Sequence, residues 1–107
     1  MKSGRVYLSP LAEFKIDKLL AYLEEEWGDE VRQSFLEKLK QTVEQINTYP
    51  ESFQKSELAE GVYKGLVTSH TALFYRFHEG NIEIITIIDN RQNPRKVANE
   101  IKKYFGL

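Results

Sequence analysis

With 107 residues, 41% hydrophobic and 12% aromatic, the chain is long enough to bury roughly two thirds of its unfolded surface in one domain, residues 1–107, without a covalent staple. It contains no cysteine, which excludes a disulfide framework, a thiolate nucleophile and a cysteine-ligated zinc or iron–sulfur site. A formal net charge of -1 leaves only a local basic patch to attract nucleic acid. No apolar run approaches the roughly 18 residues that span a bilayer, so a cytoplasmic protein without membrane contact is expected.

In chain order, Arg5-Val6-Tyr7-Leu8 is a short strand-like run, closed by Ser9-Pro10, an N-cap residue followed by proline at the first helical position. Ala12, Ile16, Leu19, Leu20, Leu23 and Trp27 then recur at helical spacing, with Lys15, Asp17, Lys18, Glu24 and Glu25 on the rest of the wheel. This predicts a helix with one buried stripe, its end anchored by Trp27 and stopped by Gly28. Asp29 is placed to cap a second helix with the stripe Val31, Phe35, Leu39, Val43 and Ile46, ended by Tyr49-Pro50. So short a connection predicts an antiparallel helical hairpin laid on one face of a sheet.

Residues 51–60 are polar around Phe53 and Leu58 and read as an irregular surface connection. Gly61 to Val67 is a strand candidate whose glycines predict a bend or a close backbone approach, and Ser69-His70 a turn. Two runs rich in β-branched and aromatic residues, 71–78 and 82–89, flank Glu79-Gly80-Asn81, the signature of a hairpin. The second run is apolar at almost every position, which requires cover on both faces. Asn93-Pro94 repeats the cap-then-proline signal before a short basic helix with Arg95, Lys96, Lys102 and Lys103 around an apolar stripe of Val97, Ile101 and Tyr104 or Phe105. The order predicts an α+β domain: an N-terminal helical hairpin packed on a mainly antiparallel sheet, with a short C-terminal helix.

Leu8-Ser9-Pro10-Leu11-Ala12-Glu13, the paired helices ending at Tyr49-Pro50, the strand around Tyr63-Lys64, Phe74-Tyr75-Arg76 and the exit Asp89-Asn90-Arg91-Gln92-Asn93-Pro94 together resemble the RelE/ParE toxin superfamily over nearly the whole chain. The resemblance implies the toxin half of a bacterial toxin–antitoxin, or plasmid stabilization, pair, neutralised by a small antitoxin that wraps it. It also implies one of two activities, ribosome-dependent cleavage of messenger RNA or inhibition of DNA gyrase. A degenerate member that only binds antitoxin or forms a homodimer is a third reading.

Cleavage by attack of a 2′-hydroxyl needs a base, an acid and cations around an in-line phosphate. By resemblance, Lys64, Arg76 and Arg91 fall near the basic positions that ribonuclease members use, although Lys64 and Arg76 equally read as solvated strand residues. Asp89 departs from the family, whose ribonucleases often place a histidine there, and its carboxylate would repel a phosphate. Tyr104 falls where some members carry a catalytic tyrosine, yet its spacing from Val97 and Ile101 makes it packing, and Val97, Ile101 and Tyr104 are the expected partner-binding stripe. His70 and His78, the only histidines, flank opposite ends of a strand and read as surface residues; without a carboxylate pattern they form no metal site. The glycines follow no phosphate-loop spacing, so no cofactor is expected. A neutral-to-acidic chain with a weak acid–base set points to a ParE-like gyrase-binding inhibitor ahead of a RelE-like endoribonuclease.

Overall fold

Ser9 shows how a local sequence signal becomes architecture. In the computed structural model, which describes residues 5–89 and 93–104, its hydroxyl accepts the Ala12 N–H at 3.0 Å and donates to the Ile85 carbonyl at 2.6 Å, while its own N–H reaches the Ile84 carbonyl at 3.0 Å. One buried residue therefore ends strand β1 (Val6–Leu8), caps helix α1 (Pro10–Trp27) and fixes both to the sheet. Gly28, at φ 92°, is the single residue joining α1 to α2 (Asp29–Thr48). It is itself the N-cap of α2, so Asp29 is not the cap expected from sequence but the first helical residue, where its charge suits the helix dipole.

Two residues of the connection after α2 form β2 (Gln54–Lys55), a strand too short to carry a periodic signal. It pairs antiparallel with β3 (Tyr63–Leu66), which pairs antiparallel with β4 (Thr71–His78). At Gly65 a Cβ would lie 3.3 Å from Ile46 and Phe53 side-chain atoms, the close approach that the glycine implied. A two-residue turn, Glu79-Gly80, with φ of 51° and 82°, leads from β4 into β5 (Asn81–Asp89), as a type I′ hairpin requires. The strand β1 pairs parallel with β5, giving a mainly antiparallel sheet of order β1-β5-β4-β3-β2. Asn93 accepts the Arg95 N–H at 2.9 Å and opens α3 (Pro94–Tyr104).

Both faces of β5 are covered, as its apolar run demanded. The α1–α2 hairpin packs Ala12, Ile16, Phe35, Leu39 and Ile46 against Leu73, Tyr75, Ile82, Ile84 and Ile87. On the other face α3 sets Val97 and Ile101 among Val62, Ala72, Phe74, Ile85 and Ile88. Phe74 thus faces α3, while its neighbours Leu73 and Tyr75 face the helical hairpin. The register shift after Phe74 explains the odd spacing on β5: Phe74 lies opposite Thr86 and Tyr75 opposite Ile84, so Ile85 is an extra residue. This bulge lets Ile84 and Ile87, three apart, share the hairpin face. Two further expectations fail at the hairpin tip. Trp27 does not anchor α1, being 67% exposed, and Val31 is 40% exposed, because the last turn of α1 and the first of α2 run past the core.

The buried Tyr75 stacks on Tyr63, ring centroids 5.6 Å apart, meets Phe53 edge-on, and donates its hydroxyl to the Pro50 carbonyl at 2.8 Å. Burial, with a smaller contribution from Tyr63, pushes its phenol well above the ordinary tyrosine range. A raised folded-state pKa stabilises the fold fully below the unfolded tyrosine value near 10 and loses that contribution as pH climbs above it. Stability measured against pH should therefore fall above about pH 10 in the wild type. In Tyr75→Phe that alkaline limb should flatten, and an unchanged limb would count against Tyr75 as its source.

Candidate functional groove

The cross-strand register aligns Tyr7 of β1 with Glu83 of β5, and Glu83 with Arg76 of β4, on the α3 side of the sheet. Directly opposed side chains on adjacent strands sit close enough to pair. Arg76 Nε donates to Glu83 Oε1 at 2.6 Å. Around this row lies an open groove of about 870 Å³, lined by Tyr7, Glu60, Arg76, His78, Asn81 and Glu83 together with Gly61, Phe77 and Ile82. It occupies the end of the sheet next to the β4–β5 turn, where no described side chain of α3 lines it: Val97 and Ile101 pack further along, with Phe74, Ile85 and Ile88.

Its electrostatics are mixed. The Arg76 guanidinium is engaged by the Glu83 carboxylate, and Glu60 adds a second carboxylate to the lining. A fork of guanidinium donors already committed to a carboxylate has less to offer an incoming phosphate. His78 is exposed and lies 3.6 Å from Glu79. His70 stands at the far end of β4, in the loop before Thr71, so the two histidines do not converge.

The structure brings only some of the sequence-derived candidates together. Lys64 lies opposite Phe74 and so shares the face of Arg76, but it is half-buried and does not line the groove. Asp89 pairs with Thr71, six residues along β5 from Glu83, roughly 20 Å at 3.3 Å per residue. It borders a different hollow, between α1 and the end of the sheet. Arg91 and Phe105 lie outside the described residues. Val97 and Ile101 are buried in the second core, and the backbone at Tyr104 closes α3. Among the described residues no group of three or more His, Cys, Asp or Glu could hold a metal ion.

Sequence reasoning missed Tyr7, Glu60 and Glu83. The one available signal was the lone carboxylate in Ile82-Glu83-Ile84, a charge in a buried strand that needs a cross-strand partner. It also missed a polar clip where Lys15, placed on the solvated part of the wheel, instead binds Glu100 at 2.6 Å and Thr86 at 3.3 Å. The Thr86 hydroxyl donates to Glu100 at 2.8 Å, so the clip joins α1, the bulged stretch of β5 and α3.

A helical hairpin backing a five-stranded sheet is a fold shared with solved structures. The structure superposes on a chain of the chromosomal ParDE TA system from P. aeruginosa with a TM-score of 0.62 at 17% identity, covering 83% of this chain and 98% of that one. It matches a chain of the YoeB–YefM complex from Staphylococcus aureus with a TM-score of 0.52 at 16% identity, covering 78% and 92%. In sequence, 88 residues are 28% identical to Toxin ParE1 of Caulobacter vibrioides, spanning 82% of this chain and 91% of that protein. The family model of the ParE toxin of the type II toxin-antitoxin system, parDE, matches residues 6–94, and the chain belongs to that family. No helix among the described residues is long and apolar enough to cross a membrane.

Proposed function

We propose that this chain is the toxin half of a type II toxin–antitoxin module, a cytoplasmic ParE-like growth inhibitor that binds DNA gyrase and is neutralised by a cognate antitoxin. The observation that carries the choice of target is the groove's charge: Arg76 is held by Glu83, with Glu60 nearby, where a ribonuclease needs uncompensated cations around a phosphate. The separated, exposed histidines add no acid–base pair. Family membership and the fold shared with chains of two toxin–antitoxin systems support the antitoxin. It would reach Val97 and Ile101 only by displacing α3, which makes α3, ending at Tyr104, an element for an antitoxin to cover or peel away.

The RelE-like reading, a ribosome-dependent, metal-independent endoribonuclease, draws on Arg76 and Lys64 sharing one face of the sheet. Purified protein tested side by side on gyrase with supercoiled DNA and on translating ribosomes separates the two. Inhibited supercoiling with intact messenger is the expected result. Codon-positioned cuts that weaken about a hundredfold in Arg76→Ala, with gyrase unaffected, would overturn it.

A further inference from the structure

Two local rules of protein structure are broken at the same place, the tip of the helical hairpin. Trp27, the chain's single tryptophan, lies on the buried stripe of α1 by spacing and is nevertheless 67% exposed, with Val31 exposed across the turn. A solvated indole has no role in the core, whereas tryptophan is the residue type most enriched at the energetic centres of interfaces. The second broken rule is electrostatic. The final turn of α1 carries Glu24, Glu25 and Glu26 and no basic residue, although the negative end of a helix dipole favours lysine or arginine. Asp29 and Glu30 follow in the first turn of α2. Only Glu24 has a cationic neighbour among the described ion pairs, Arg32 at 3.6 Å.

The turn at the tip is also short and hydrogen-bonded on both sides. Gly28 alone separates the helices, its N–H bonded to the Glu24 carbonyl at 2.9 Å and its carbonyl accepting from Arg32 at 3.3 Å. Little ordering remains to be paid when such a turn docks.

We propose that Trp27 and Val31, within this ring of carboxylates, form the surface through which the toxin docks on its target, and that the occupant is a basic protein face with an apolar pocket. The charge excludes the other occupants: anionic lipid and nucleic acid are repelled. A second copy offers cations on α3 at Arg95, Lys96, Lys102 and Lys103, but Val97 and Ile101 beside them are buried and not available to receive an indole. An enzyme that handles DNA presents a basic face of the required kind. The inference rests on the toxin reading but not on gyrase being the target, and it uses a surface separate from the groove.

The test expresses the full chain in bacteria as wild type, Trp27→Ala, Trp27→Phe and the double variant Glu25→Lys/Glu26→Lys, and compares growth inhibition at matched soluble yield. Trp27→Ala and the double variant should lose at least about tenfold in potency, Trp27→Phe should retain most of it, and all should melt within a few degrees of wild type. Full toxicity of Trp27→Ala and the double variant overturns the inference, as does toxicity lost only together with the melting transition. A buried-indole emission spectrum from the free wild type also overturns it. The same proteins are assayed on purified gyrase: a toxic wild type that leaves gyrase active removes the gyrase reading and leaves the tip standing. A wild type without toxicity removes both.

Discussion

Replacing Phe74 by alanine should lower the unfolding free energy by about 3–5 kcal/mol, the largest single loss expected on the α3 side of the sheet. Phe74 is 1% exposed and sits among Val62, Ala72, Ile85, Ile88, Val97 and Ile101, the buried residues described in the second core. A cavity left there costs the lost transfer free energy plus a term for the void that its neighbours do not fill. The α3 helix is 11 residues long and marginal by itself, and is held through Val97, Ile101 and the Glu100 clip to Lys15 and Thr86. A void under Val97 and Ile101 should therefore free α3 first. Denaturant unfolding should show a lower midpoint, and amide exchange over residues 94–104 should accelerate beyond that of β4 and β5. An unfolding free energy within about 1 kcal/mol of wild type, or uniform exchange, would mean that the second core does not carry the helix.

How much of this was written in the sequence depends on the range over which each signal acts. Ser9-Pro10, Asn93-Pro94 and Glu79-Gly80 act over three or four residues, and each gave the cap or turn that its chemistry requires. The apolar run of β5 announced cover on both faces, because polar side chains cannot alternate out of a strand that has no wet face. The face each buried residue takes was less legible: periodicity names buried residues but not their face, and the Ile85 bulge moves the alternation on β5 by one residue. Trp27 and Val31 failed because helical periodicity continues past the end of the core that it describes. The groove was least legible. Tyr7, Arg76 and Glu83 are far apart in sequence and meet only through the parallel β1–β5 and antiparallel β4–β5 registers. Lys15 and Glu100 show the same dependence on tertiary register, since each lies on the polar side of its own helix and they meet beside β5.

On the opposite face Leu39→Ala should cost about 2–5 kcal/mol. Leu39 occupies the middle of the α2 stripe, with Phe35 one turn before it and Thr42, Val43 and Ile46 after it, and packs into the core formed with Ala12, Ile16, Leu73, Ile84 and Ile87. Truncation there leaves a void between a helix and a sheet that are both fixed, α2 by its packing along the Phe35–Ile46 stripe and the sheet by its ladder. Leu39→Met keeps the volume and should cost under about 1.5 kcal/mol. Val31→Ala supplies the internal control: it lies two turns earlier on the same stripe, is 40% exposed, and should change stability by no more than about 0.5 kcal/mol. Sequence periodicity alone treats Val31 and Leu39 as equivalent core positions, so equal losses from the two alanine variants in denaturant unfolding would contradict the observed end of the core, and a large gap would place that boundary between them.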